Sequence, residues 1–131
     1  MGGDQLMLLD TCALLWLADK HGNLSRGTLS MIEEASSVYI SAITFFEIAL
    51  KCKSGKLKLP IPPKSWLDLV LEHHNISVID VSSDVSLLSV ELPPYHKDPC
   101  DRFIIATAMI NKLPVVTADD NFRKYGIKVL I

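Results

Sequence analysis

Short apolar runs alternate along the chain with segments whose apolar residues fall at helical spacing, and this alternation constrains the fold more than any other feature. Leu6-Met7-Leu8-Leu9, Val38-Tyr39-Ile40, Ile76-Ser77-Val78-Ile79, Val115-Val116 and Lys128-Val129-Leu130-Ile131 read as buried strands. Leu14, Leu15 and Leu17 follow the first run, Leu29, Ile32 and Ala35 precede the second, and Phe46, Ala49 and Leu50 follow it, each with helical spacing. Parallel neighbours need crossover connections, which is what strand–helix alternation supplies. The predicted architecture is therefore a three-layer α/β/α fold, with a central four- or five-stranded, mainly parallel sheet covered by helices on both faces.

Punctuation supports these boundaries. Ser25 can cap one helix, Gly55 can end a helix over Thr44 to Lys53, and Pro60-Ile61-Pro62-Pro63 forms a stiff connector into a helix from Ser65 to His74. Ser82 or Ser83 starts another helix that runs through Leu92. The stretch from Pro93 to Pro99 is then a loop delivering Asp101 to the start of a helix running to Lys112. There is no internal repeat, low-complexity tract or long linker, so residues 1–131 are expected to form one domain. With 49% of residues apolar, that domain can bury a core without covalent staples.

Thirteen Lys and Arg against fifteen Asp and Glu give a net charge of −2, which excludes neither a nucleic-acid partner nor an acidic one. Cys12, Cys52 and Cys100 lie far apart and are odd in number, which argues against a disulfide framework or a zinc ribbon and favours a reducing, cytoplasmic setting. No uncharged apolar stretch approaches the roughly 18 residues of a membrane span, so no membrane partner is expected. Met1-Gly2-Gly3 resembles a myristoylation start, but Leu6 stands where that motif requires Ser or Thr.

In an open parallel sheet, ligands collect beyond the carboxyl ends of the strands. Asp10 directly follows the first strand, and Asp119 follows Val115-Val116-Thr117-Ala118. Asp101 begins a helix entered from the proline-containing loop, and Glu47 sits one turn into the helix after the second strand. Each has a plainer reading: Asp10 and Asp101 as helix N-caps, Asp119 as the start of the Asp119-Asp120-Asn121 turn. Glu47 is harder to dismiss, because Ile43-Thr44-Phe45-Phe46-Glu47-Ile48-Ala49-Leu50 offers a charge few polar neighbours. If the four acids converge, their repulsion must be relieved by a cation. All-oxygen donors favour Mg²⁺ or Mn²⁺ over zinc, and such ions suit phosphodiester hydrolysis.

Four blocks of the chain together resemble the PIN-domain ribonucleases, and within them the VapC-type toxins of prokaryotic toxin–antitoxin pairs. These are Leu8-Leu9-Asp10-Thr11-Cys12-Ala13-Leu14-Leu15-Trp16, Ser41-Ala42-Ile43-Thr44-Phe45-Phe46-Glu47-Ile48-Ala49, His96-Lys97-Asp98-Pro99-Cys100-Asp101-Arg102-Phe103-Ile104-Ile105-Ala106, and Val116-Thr117-Ala118-Asp119-Asp120-Asn121-Phe122 with Tyr125-Gly126-Ile127. The resemblance implies a PIN-like fold and a Mg²⁺- or Mn²⁺-dependent endoribonuclease with Asp10, Glu47, Asp101 and Asp119 as its acidic quartet. It also implies a homodimer, and a cognate antitoxin that lays a hydrophobic segment into a groove. Thr11 and Thr117 become candidates for orienting the carboxylates, and Asp98 and Asp120 for touching the site. Cys12 stands where the family often has His or Asn, and Cys100 where Phe is common; both are read as small buried apolar residues.

An RNA substrate needs phosphate contacts, for which Lys51, Lys53, Lys56, Lys58, Arg102, Arg123 and Lys124 are available, with Lys56 and Lys58 read instead as a solvated face. Arg102 adjoins Asp101 and is open to pairing with a carboxylate or holding a phosphate. Leu14, Trp16, Leu17, Trp66, Leu67, Val70 and Leu71 exceed what a thin α/β domain needs for its core, so some are expected to face a partner, with Trp16 and Trp66 individually read as core. Two other function classes compete: a phosphoacceptor receiver-like signalling domain using Asp80 and Thr117, and a non-catalytic protein-binding PIN-like module.

Overall fold

The computed structural model describes residues 5–19 and 22–131, so the Met1-Gly2-Gly3 start lies outside the described residues. In chain order the elements are β1 (Leu6–Leu9), α1 (Thr11–Ala18), α2 (Arg26–Glu34), β2 (Ser37–Ser41), α3 (Ile43–Lys53), α4 (Pro63–His73), β3 (Ile76–Ile79), α5 (Ser83–Glu91), α6 (Pro99–Asn111), β4 (Val115–Val116), a 3₁₀-helix (Asp120–Tyr125) and β5 (Val129–Leu130). The strands form one five-stranded sheet in the order β3-β2-β1-β4-β5, and every neighbouring pair is parallel. The predicted α/β/α architecture is therefore the observed one, at the upper of the two strand counts.

Side-chain alternation along β1 builds the two halves of the core. Met7 and Leu9 join one apolar cluster with Leu14, Ile48 and Leu67, whereas Leu8 joins another with Val85, Ile104, Ile105 and Phe122. Met7, Leu8 and Leu9 are all fully buried, as expected of a central parallel strand covered on both faces. Leu14, Leu17 and Leu67 belong to the buried core, and Trp16, Trp66, Val70 and Leu71 pack against it while staying only partly buried, so Trp16 and Trp66 both support the core and show a face at the surface. The exposed large apolar residues include Phe46 and Leu50 on α3, Leu69 on α4, and Leu87 and Val90 on α5.

The predicted boundaries shift by a residue or two for local reasons. Ser25 and Ser82 cap α2 and α5 by accepting the amides of Thr28 and Val85. Helix α4 begins two residues before Ser65, because Pro63 fits the first helical turn, where its missing N–H costs nothing. Helix α6 likewise starts at Pro99, with Asp98 as its cap and Asp101 inside the first turn. Gly55 adopts a left-handed φ of 81° just past α3.

This topology overturns the receiver-like reading. The doubly wound order of a receiver, 2-1-3-4-5, sets the third strand beside the first. Here β3 is an edge strand separated from β1 by β2, so Asp80 does not follow a strand adjacent to Asp10.

Candidate active site

Asp10 is the first residue beyond β1, and Thr117 to Asp119 follow β4, whose Val116 is in register with Leu9. Asp10 caps α1 through a 2.8 Å bond from the Ala13 amide, so the capping reading is correct without excluding a second role. Burial pushes its carboxyl above the ordinary value; hydrogen bonds from Thr117 and Ala13 pull it back, and the charges of Glu47 and Asp119 push it up again. The Thr117 hydroxyl oxygen also accepts the Asp119 amide at 3.0 Å, which ties the two aspartate-bearing strand ends together.

Glu47 enters from α3, its side chain only 14% exposed. Its Oε1 accepts the Thr11 hydroxyl at 2.7 Å and its Oε2 pairs with Lys51 at 3.3 Å. Thr11 has a single proton to give, so in its 3.0 Å contact with Thr44 it is Thr44 that donates. The apolar neighbours that seemed to isolate Glu47 do not surround it, since Phe46 and Leu50 are exposed. Lys51 loses hydration here, which lowers its affinity for a proton, but attraction and hydrogen bonding to Glu47 outweigh this and hold its pKa above the ordinary value.

Asp101 projects from the first turn of α6. Burial and the neighbouring Asp98 charge raise its pKa, His96 opposes them, and Glu47 and Asp10 add to the rise, leaving it at about 7. Asp119 caps the 3₁₀-helix through the Asn121 amide at 2.9 Å. His96 Nε2 lies 2.7 Å from Asp119 Oδ2 and 3.1 Å from Asp101 Oδ2. His96, Asp101 and Asp119 offer ligand-type atoms all within 4.8 Å of one another.

All four predicted acids line one cavity of about 370 Å³, together with Thr11, Asp98 and Lys51. Among the described residues, Lys51 is the only Lys or Arg on its wall. A larger hollow of about 470 Å³ beside α6 has no carboxylate among the described residues that line it and does not compete as a metal centre. Acids supplied by separate segments, with Asp10 and Asp101 held above their ordinary pKa by burial and mutual repulsion, fit a hard divalent cation that would relieve that repulsion.

Several expectations require correction. Arg102 neither pairs with a carboxylate nor faces the cavity; its guanidinium donates to the carbonyls of Ser89, Val90, Leu92, Pro93 and His96. Asp120 is 92% exposed and pairs with Arg123, and it does not line the cavity. Lys53, Arg123 and Lys124 do not line the cavity either, and Lys56 and Lys58 are exposed, as the solvated-face reading expects. Asp98, not Asp101, caps α6. Cys12 is exposed and Cys100 half-buried, so neither is the small core residue expected. His96 is the residue that sequence reasoning passed over, although its place two residues before an Asp-Pro helix start marked it as part of the loop that carries Asp101.

Comparison with known proteins gives concordant results. The family model described as PIN domain matches residues 7–128. Ribonuclease VapC22 of Mycobacterium tuberculosis is 32% identical over 120 residues, covering 91% of each chain. A crystal structure of VapBC2 from Rickettsia felis bound to a promoter DNA fragment superposes with a TM-score of 0.71 at 20% identity, over 96% of this chain and 98% of that one. A toxin–antitoxin complex from Klebsiella pneumoniae gives 0.64 at 24% identity, over 95% and 96% of the two chains.

Proposed function

Because the chain belongs to the PIN domain family, we propose that it is a divalent-metal-dependent endoribonuclease hydrolysing RNA phosphodiester bonds, and the toxin of a toxin–antitoxin pair. The single observation that carries this reading is the meeting of Asp10, Glu47, Asp101 and Asp119 in one cavity. The ribonuclease name of the relative from Mycobacterium tuberculosis, and the toxin–antitoxin title of the Klebsiella pneumoniae structure, support the substrate class and the pairing.

Asp101 and Asp119 would hold the ion, Mg²⁺ or Mn²⁺, with Asp10 and Glu47 completing the negative wall. When bound, that ion supplies Lewis acidity toward a phosphodiester and stabilises charge developing in the displacement. The protein's part is to keep the carboxylates in place before the ion arrives. Thr44 and Thr11 orient Glu47, Thr117 orients Asp10 and the Asp119 backbone, and Lys51 offers a cation to a substrate phosphate at the cavity wall. Lys51 acts there as a point charge on a flexible stem, able to leave Glu47 for a phosphate.

The proposed antitoxin has a candidate seat. A groove of about 330 Å³ lined by Trp16, Leu57, Leu59, Pro60 and Trp66 shares Trp16 with the acidic cavity, so an apolar segment lying in it would run toward the carboxylates. The exposed Leu87 and Val90 of α5 supply an apolar face for the proposed homodimer. Residues 1–131 are proposed to act as one nuclease domain in the cytoplasm; among the described residues no helix is long and apolar enough to cross a membrane.

The test is cleavage of single-stranded RNA by the purified protein. Cleavage is expected with Mg²⁺ or Mn²⁺ and is expected to stop with chelator and in Asp10→Asn. Equal cleavage by the variant would assign the activity to a contaminant and leave a non-catalytic binding module as the better account.

A further inference from the structure

The loop between α5 and α6 is held far more firmly than a connector requires, and what it delivers to the acidic cavity is His96. Resting on the reading of that cavity as a divalent-ion site, we propose that His96 is a positioning residue whose Nε2–H bridges Asp101 and Asp119, and that Arg102 and Tyr125 form the clamp that holds it there.

The tautomer follows from the backbone. The Asp98 amide donates to His96 Nδ1 at 3.2 Å, so Nδ1 is the acceptor and the proton of the neutral ring resides on Nε2. That single N–H donates to Asp119 Oδ2 at 2.7 Å, and Asp101 Oδ2 lies 3.1 Å from the same nitrogen. A ring nitrogen that carries a proton has no lone pair for a metal. It does hold together two carboxylates that come from different segments and would otherwise repel. Each carboxylate oxygen has more than one lone pair, so accepting this bond leaves both acids able to coordinate an ion.

The ring is fixed from several directions. The His96 amide donates to the Tyr125 hydroxyl at 2.8 Å, and that hydroxyl donates to the Pro93 carbonyl at 2.6 Å. Arg102 Nη1 reaches the carbonyls of His96 at 2.8 Å and Pro93 at 3.0 Å, while Nε and Nη2 take those of Ser89 and Leu92 at 2.8 and 2.6 Å. The imidazole meets the fully buried Phe122 edge-on, with ring centroids 5.9 Å apart and planes at 87°. Arg102 thus acts on the cavity through the loop, without contacting it.

The experiment is Mn²⁺ binding by calorimetry and electron paramagnetic resonance, on the wild-type chain and on His96→Ala, His96→Gln and Tyr125→Phe, with thermal melts alongside. His96→Ala is expected to weaken Mn²⁺ binding about 10- to 100-fold, the range for groups that orient metal ligands. His96→Gln, which keeps an N–H donor at similar reach, is expected to recover most of that loss. Tyr125→Phe is expected to fall between them with little change in melting temperature, and it carries the test if His96→Ala fails to fold. Unchanged Mn²⁺ affinity in folded His96→Ala or Tyr125→Phe would overturn the proposal while leaving the ion site intact. An imidazole nitrogen coupled directly to Mn²⁺ in the wild-type resonance spectrum would also overturn it, making His96 a ligand. A wild-type chain that binds no Mn²⁺ would remove the ion site and the proposal together.

Discussion

The Thr11 hydroxyl donates to Glu47 Oε1 over 2.7 Å, joining the helix that leaves β1 to the helix that leaves β2. Because Thr44 donates in turn to Thr11, Glu47 is aimed by a buried relay anchored on two helices. Thr11→Val keeps the shape of the side chain and removes the donor. It is expected to lower RNA cleavage about 10- to 100-fold, as loss of an orienting partner does. Thr11→Ser should stay close to wild type, and a steady-state comparison of the two variants checks this.

Stability of the metal-free protein should fall as pH rises. Folded Asp101 keeps its proton to about pH 7, whereas an unfolded aspartate releases it near the ordinary value of 3.8. Between those values the folded state binds more protons than the unfolded state, so stability is lost across that window. Asp10, raised mainly by burial, adds in the same direction. Urea melts at pH 5 and pH 8 in chelator check the sign. Asp101→Asn should flatten the dependence and raise metal-free stability at pH 8 by about 1–2 kcal/mol. With the ion bound the order should reverse, because coordination requires the deprotonated acids.

Lys51 should divide substrate binding from ion binding. Its ammonium pairs with Glu47 and is, among the described residues, the sole Lys or Arg group on the cavity wall. Lys51→Gln removes a phosphate partner while leaving the carboxylates, so KM for RNA is expected to rise about tenfold, with Mn²⁺ affinity equal or higher. The binding and kinetic titrations distinguish this from a structural role, which would weaken RNA and Mn²⁺ binding together.

How much of this site was legible depended on what each residue signals locally. Asp10 and Asp119 stood out because each closes an apolar run at the carboxyl end of a strand. Arg102 misled because adjacency in sequence suggested a shared site with Asp101, yet consecutive helical residues point about 100° apart, and its guanidinium lies on the carbonyls of the preceding loop. The capping role of Asp98 was readable in principle, since Pro99 fits the first helical position and makes the preceding Asp the cap. The contact between His96 and Asp119 spans 23 residues and rests on a loop with no periodicity, so it left no trace in the pattern.

Arg102 is expected to matter more for stability than for chemistry. Removing it leaves the carbonyls of Ser89, Leu92, Pro93 and His96 without this donor, and Arg102→Leu should cost about 3 kcal/mol in chemical denaturation. Arg102→Lys should recover little, because a compact ammonium cannot span the separated acceptors that the planar fork reaches.

The central claim is that acids from separate segments converge to hold one hard cation, and anomalous diffraction from a crystal soaked in Mn²⁺ tests it most directly. The account predicts a peak in the cavity bounded by Asp10, Glu47, Asp101 and Asp119, with oxygens of Asp101 and Asp119 at roughly 2.0–2.3 Å, close to the range for such ions, and the peak lost in Asp101→Asn. A fully soaked crystal with no peak among these four side chains, or with its strongest peak away from them, would contradict it.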